Sequence, residues 1–464
     1  MTAQLALNNF PRLHVPQSQN KAQSQPRAPE VPTGDELLAP SDLVPVQREA
    51  AVRTEQRALA ELGDLIRQNR WSEVVDLFHP VEEKLPELAD YGNDIRVREK
   101  IAFALGHLGR HDDAISELSA CIKREPDNFF LHASLAYTAY DSLWAAKNRQ
   151  VLLSGKARSE RIALAHRHFA AAQALRPDTV TNFYRQGMLF REIEGKDDKS
   201  IPLFRRAVEN WEQLDPDDRE RRHQERKNYI KALYQLAGAL VAVGRADQAL
   251  AHLQRCLNED ESSNFIALAF KYFALGKVQF HLNRFAEARD ALLFAAKCRH
   301  DGPLDFVFEL LARVYLALGS NDKAREAIGR VPEARRRPYV RWTEADVLCA
   351  AGQYEEALRV LSDCVNRDGF SRHKGLLRMA RITYLLNRFD QCATHAEAAR
   401  RFYRQKWTND CNEGLFWLAA ANLRQGRVDE AYRLAGELET LDPWFPRLDR
   451  LKEAIGKQKR PVQG

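Results

Sequence analysis

Thirteen histidines, seven cysteines and 64 acidic residues give this chain enough reactive groups for catalysis or metal binding, so their spacing decides what they could do. His166 and His168 stand two residues apart. On a helix such neighbours project to different faces and cannot share a metal ion. No Cys-x-x-Cys pair occurs, and no set of residues has the spacing of metal ligands. The adjacent acids Glu82 and Glu83, and Glu355 and Glu356, read as solvated helix faces rather than as an acid–base pair. GxGxxG, P-loop, GxSxG and HExxH signatures are all missing. The expectation is a protein that is not an enzyme and uses no cofactor and no metal.

What organises the chain is a recurring turn. A Gly or Asn is followed five residues later by a small or β-branched residue: Asn69–Val74, Gly109–Ala114, Gly244–Ala249, Asn283–Ala288, Gly319–Ala324, Gly352–Ala357, Asn387–Cys392 and Gly426–Ala431. Seven residues before each turn stands another small residue (Ala102, Ala237, Gly276, Ala312, Ala345, Ala380 or Ala419), with Leu62 the exception. Two helices approach closely only where side chains are small, and the Gly or Asn between them ends the first helix by adopting the left-handed conformation. Pro86, Pro126, Pro177 and Pro443 fall twelve residues after the small residue of a second helix, where proline would end it. Cys121, Cys256 and Cys364 take the next small-residue slot of that helix and Cys392 replaces an alanine, so the cysteines read as small buried hydrophobes.

These residues, best seen in Leu275-Gly276 through Asn283-Arg-Phe285-Ala-Glu-Ala288, resemble the tetratricopeptide repeat (TPR) superfamily. The resemblance implies an all-α, right-handed TPR-type helical solenoid of about ten helix-turn-helix units, one elongated body over residues 51–445. Irregularities are expected near 141–161, where about twenty residues replace the turn, and near 195–228. Residues 446–464 would form a capping helix and a basic tail.

Residues 1–50 differ in kind. Seven prolines and a Gln/Ser stretch from Gln17 to Gln25 preclude a packed core, which predicts a disordered or extended arm. Leu5, Leu7, Phe10, Leu13 and Val15 cluster inside it, as a linear docking motif would, for a groove on a partner or on the chain's own solenoid.

In TPR proteins the first helices line a concave groove that holds ligands. Carried over, the resemblance points to Phe270, Phe273, Lys277 and Phe280, then Arg313, Trp342, Lys374, Arg378, Arg381 and Tyr384, and finally Phe416 and Trp417. Such an aromatic and cationic lining suits a protein or peptide partner of apolar and acidic character. The Lys/Asn clamp of chaperone-tail readers is missing, which disfavours that mode.

Net charge is +6, and the clusters around Arg219–Lys227, Arg335–Arg337 and Lys457–Arg460 are scattered, so nucleic acid is disfavoured. No run of eighteen apolar residues is present and the first ten residues do not resemble an export signal, which leaves the cytoplasm as the expected compartment. The function read from the sequence is a non-catalytic scaffold or adaptor, acting as a subunit of a larger complex. A regulatory peptide receptor or assembly chaperone, and a TPR factor associated with RNA or DNA, are the alternatives.

Far-UV circular dichroism of the chain should be dominantly helical. Small-angle scattering should give a radius of gyration above the roughly 23 Å of a compact globule of this length. A compact particle with strand content would overturn the solenoid.

Overall fold

The computed structural model describes residues 40–407 and 409–459; the docking residues Leu5, Leu7, Phe10, Leu13 and Val15 lie outside them. The chain divides into two compact units that meet at Ile266–Ala267, and among the described residues each is built of helices without strands. In unit 1 the helices are α1 (Pro40–Arg67), α2 (Trp71–Phe78), α3 (Val81–Lys84), α4 (Pro86–Tyr91), α5 (Ile95–His107), α6 (His111–Arg124), α7 (Phe129–Lys147), α8 (Gly155–Leu175), α9 (Val180–Met188), α10 (Asp197–Glu212), α11 (Pro216–Arg221), α12 (His223–Ala242) and α13 (Ala246–Glu259). In unit 2 they are α14 (Leu268–His281), α15 (Phe285–Lys297), α16 (Asp305–Ala317), α17 (Asn321–Gly329), α18 (Pro338–Ala350), α19 (Tyr354–Arg367), α20 (Arg372–Leu385), α21 (Phe389–Lys406), α22 (Asn412–Arg424), α23 (Val428–Leu441) and α24 (Leu448–Lys459). Within each unit consecutive helices pair as hairpins, and the first helices of adjacent hairpins also touch, as α9 touches α12 and α16 touches α18. This is a stack of TPR-type hairpins, closed in unit 2 by α24 against α22 and α23.

All eight turn residues adopt the left-handed conformation, with φ between 57° at Asn387 and 79° at Gly244. The same pair of bonds closes each turn. At Gly352, its N–H donates to the Cys349 carbonyl (3.0 Å) and the Gln353 N–H to that of Leu348 (2.9 Å), so the orphan carbonyls at the helix end are satisfied. The small residues lie where the helices cross: Ala102, Ala237, Ala312, Ala345, Ala380 and Ala419 are buried, as are Ala114, Ala249, Ala288, Ala324, Ala357 and Ala431. Gly276 shows why size matters there. A Cβ at this position would stand 2.6 Å from Leu292 Cγ and 3.3 Å from the Ala288 carbonyl oxygen, too close for any side chain without moving α15.

The structure departs from the expected pattern in four places. α1 begins at Pro40, inside the stretch 1–50 expected to be a disordered or extended arm. Proline ends α6, α8 and α23 shortly before Pro126, Pro177 and Pro443, but α2 stops at Phe78, before Pro80, and Pro86 instead opens α4. Around 141–161 the chain needs no long loop. α7 runs on to Lys147 and α8 starts at Gly155 with Ser154 as its cap, so longer helices absorb the insertion. After α9 the chain tightens into a π-helical turn, Leu189–Glu194, that ends at left-handed Gly195. Here Gly187 takes the small-residue role, since its Cβ would meet the Phe204 ring at 2.6 Å. Of the cysteines, Cys121, Cys256, Cys364, Cys392 and Cys411 are buried, while Cys298 and Cys349 are partly exposed.

Gly276→Val should destabilise the protein by about 1–3 kcal/mol, the usual penalty of overpacking. Gly319→Val, at a left-handed turn with open space around it, should be costly through backbone strain instead. In the double variant Gly276→Val, Leu292→Ala, room is returned at the first site only, so a thermal midpoint that fails to recover relative to Leu292→Ala would refute steric approach as the constraint.

Candidate functional site

The inner residues of unit 2 recur at fixed offsets from the small packing residue of each first helix. One residue after Gly276, Ala312, Ala345 and Ala380 come Lys277, Arg313, Asp346 and Arg381; three before come Phe273, Glu309, Trp342 and Leu377. One helical face therefore presents them. Phe280, Arg313 and Arg381 come together on a groove of about 530 Å³, with Leu316, Asp346, Cys349, Tyr354 and Leu385. The Arg313 guanidinium lies 4.8 Å from the centre of the Phe280 ring. Asp346 is engaged by Arg378 Nε at 3.1 Å. Arg381 is exposed and has no ion-pair partner among the described residues. The groove thus holds two arginines beside Asp346, which Arg378 already occupies, while Arg313 also lies 3.9 Å from the Glu309 carboxylate. It carries a local cationic excess beside apolar walls.

The other sequence candidates separate into distinct environments. Phe270 stacks on Phe306 (centroids 5.5 Å apart, rings 6° from parallel) and Phe273 meets the same ring edge-on at 4.6 Å, so these rings pack one hairpin on the next. Trp342 is flanked by Lys374 Nζ and the Arg378 guanidinium, each 5.5 Å from its ring. Tyr384 is half-buried between Phe389 and Trp417, 5.5 and 5.6 Å away. Phe416 and Trp417 are core residues, only 7% and 5% exposed, and are not available as groove lining. Arg447, from the segment that leads to α24, covers both at 4.8 and 5.5 Å, and Phe445 packs against Phe416. Glu309 is also buried. It accepts a 2.6 Å hydrogen bond from the Thr343 hydroxyl, and burial pushes its carboxyl up.

Unit 1 also holds a cluster of tyrosines and charged groups that the turn spacing did not reveal, because α7 and α8 are joined without the turn glycine and Gly195 follows a π-helical turn. Tyr137, Tyr140 and Asp141 on α7 and Tyr184 and Arg185 on α9 form it, with Lys231 on α12 within electrostatic range of Arg185. The Arg185 guanidinium lies over the Tyr137 ring at 4.0 Å. Burial raises the Asp141 carboxyl to about 6, with Arg185 opposing the shift. Burial also lowers the Lys231 ammonium to about 8, helped by Lys227 and Arg185, and raises the Tyr137 and Tyr234 phenols to about 12. Burial thus moves all four groups toward their neutral forms. The signal was present in the sequence as tyrosines at helical spacing, Tyr137 with Tyr140, but without a turn nothing told which face they share.

The basic runs are largely engaged. Arg222 pairs with Glu225 and Asp178, Arg335 with Asp305, and Arg336 with Glu344 at 2.6 Å. Among the described residues no three His, Cys, Asp or Glu side chains gather as metal ligands, and no helix is long and apolar enough to cross a membrane.

A family model described as Tetratrico peptide repeat matches residues 179–300. No curated protein matches the chain. Solved structures with a similar fold include a tetratricopeptide repeat protein from Parabacteroides merdae (13% identity, 63% of this chain and 99% of that one, TM-score 0.44). Yeast Tom70 is another (12% identity, 88% of this chain and 96% of that one, TM-score 0.41). PilF of Pseudomonas aeruginosa aligns at 19% identity over 49% of this chain and 94% of its own, with a TM-score of 0.35.

Asp141 gives a pH test of this cluster. A carboxyl whose folded value is raised favours folding while protonated, so stability should fall as pH rises from about 4 through 6. Asp141→Asn should therefore be more stable than the parent at pH 7.5 by about 1–3 kcal/mol, with the difference vanishing at pH 4. Denaturant midpoints at the two pH values measure it, and a variant that is destabilised equally at both would overturn the burial of this group.

Proposed function

We propose, from the premise that this chain is a tetratricopeptide repeat protein, that it is a non-catalytic scaffold or adaptor that binds an extended peptide or partner subunit on the inner face of unit 2. The observation that carries this reading is the groove where Arg313 and Arg381 stand beside Phe280, Leu316 and Leu385. Arginine at such a site offers a planar fork for carboxylates and keeps its charge when partly desolvated. The apolar wall beside it takes an aliphatic or aromatic side chain, so the segment recognised is acidic and apolar together. Trp342, with Lys374 and Arg378 over its ring, extends the same preference along the next two hairpins. Lys277, Phe270 and Phe273 widen the candidate surface toward α14, though the two rings also pack the hairpins together. A cytoplasmic subunit of a larger complex is the setting that fits this reading.

The partner is to be captured from cell extract on the full chain, identified by quantitative mass spectrometry, and then titrated as a purified protein. Arg313→Glu with Arg381→Glu should weaken that binding at least tenfold and leave the thermal midpoint within about 2 °C of the parent, since exposed charges contribute little to stability. Trp342→Ala should weaken it several-fold. Tyr384→Ala should mainly lower stability, because its ring packs on Trp417. Undiminished binding by the double charge reversal would overturn the groove assignment.

A further inference from the structure

In a stack of hairpins, every connection from a second helix to the next first helix falls on one edge. In unit 2 this edge carries the two most exposed large apolar side chains among the described residues of that unit, Phe370 at 73% and Trp444 at 92%. Both loops are shaped by the same device. The Asp368 carboxylate accepts the Phe370 N–H at 2.9 Å and the Ser371 N–H at 2.8 Å, and the Asp442 carboxylate accepts the Trp444 N–H at 3.2 Å. Pro443 and Pro446 stiffen the second loop, and its Phe445 turns inward onto Phe416 while Trp444 stays out. Each loop is tied to the one between them. The Lys406 ammonium donates to the Gly369 carbonyl at 2.6 Å, and the Asn412 amide donates to Asp442 at 3.4 Å.

Cations accompany the two rings. Lys406 lies 4.8 Å from the centre of the Phe370 ring, Arg367 ends α19, Arg372 opens α20, and Arg450 stands in the first turn of α24. All four are exposed, and none has a carboxylate partner among the described residues. The helix dipole opposes a cation in a first turn, so folding alone does not favour Arg372 or Arg450 where they stand. The acids of this edge are mostly engaged within the fold. Asp368 and Asp442 hold the loops, and Asp410 pairs with Arg400 and Arg404, which leaves Asp449 exposed at the start of α24.

We infer that this edge of unit 2 rests on an anionic lipid surface, with the Phe370 and Trp444 rings in the headgroup layer and Arg367, Arg372, Lys406 and Arg450 toward the lipid phosphates. Charge is the first reason, since apolar tips set among unpaired cations complement a negative bilayer. Spacing is the second. The two rings are two hairpins apart, roughly 20 Å at 8–10 Å per stacked helix. A protein interface gathers its aromatic anchors in one desolvated patch, yet here the intervening loop turns its Trp407 inward, onto Tyr403 at 4.5 Å and His373 at 5.2 Å. Separate aromatic tips on one edge meet a flat surface instead. Tryptophan is also a side chain that settles at the membrane interface, where its apolar body is buried and its N–H stays wet. Apolar insertion and a basic patch together give an attachment that neither gives alone. The contact is peripheral and reversible, and it makes no use of the groove at Phe280, Arg313 and Arg381.

The test sediments the full chain with large vesicles of phosphatidylcholine, with and without about one third phosphatidylglycerol. The parent should pellet with the anionic vesicles, stay in solution with the neutral ones, and be released as salt is raised. Phe370→Ala with Trp444→Ala should lower the partition coefficient roughly tenfold or more, and so should Arg372→Glu with Arg450→Glu. Both variants should keep the thermal midpoint of the parent, because the altered side chains are exposed. The chain has seven tryptophans, so insertion is read by difference. Vesicles with brominated acyl chains should quench part of the parent's fluorescence, and Trp444→Phe should lose that part while still pelleting. Pelleting that is indifferent to the aromatic pair or to the charge pair would overturn the inference, since the contact would then lie elsewhere on the chain. A parent that ignores both kinds of vesicle, or binds both equally, would overturn it as well. A purified protein partner held by the parent and lost by the Phe370→Ala, Trp444→Ala chain, with no vesicle binding, would give the edge to a protein and overturn it too.

Discussion

Close approach of two helices at a position with no room for a side chain is the constraint on which both units rest. Gly276 against Leu292 and Gly187 against Phe204 are its sharpest instances, and the buried alanines repeat it at lower cost. Once that contact is fixed, the crossing geometry of each hairpin follows, because the turn must end the first helix within a few residues and send the chain back along the same groove. The left-handed Gly or Asn is the device that permits the reversal. The inner residues are then presented as a by-product. With packing positions occupied by small side chains, the remaining face of each first helix can vary freely, which is why Arg313, Asp346 and Arg381 can share one position in successive hairpins without disturbing the fold.

That separation explains what could be read from the sequence. The eight turns and their small residues are local signals, each complete within about a dozen positions, and all eight residues take the expected backbone conformation. The irregular hairpins of unit 1 were harder. From Asp141 to Arg161 the one local sign of two lengthened helices is the Ser154 cap, and the packing of α7 on α8 completes the choice. Likewise Pro80 ends α2 early, although the pattern had assigned the stop to Pro86.

The site was legible in part, for a related reason. The first-helix residues carried over from the resemblance include Phe280, Arg313 and Arg381, which converge on one groove. The same carry-over includes Phe416 and Trp417, which are covered by Arg447 and Phe445. A repeat pattern describes the interior of a stack, and the last hairpin is covered by a segment that is not a repeat. Tyr137, Tyr140 and Asp141 carry no such mark in the sequence, because α7 and α8 are joined without the marker turn.

The stacking of hairpins on their immediate neighbours also shapes how the molecule yields. In a globular core, loss of one element exposes the interior everywhere, whereas in a stack each interface is answerable only to the hairpins on either side. Heat or tension can then peel unit 2 from its α24 end one hairpin at a time, with intermediate lengths that persist as structured fragments. Such a body behaves less like a single switch than like a zipper. Its resistance is set by the weakest adjacent pair, and the summed area of the core matters less.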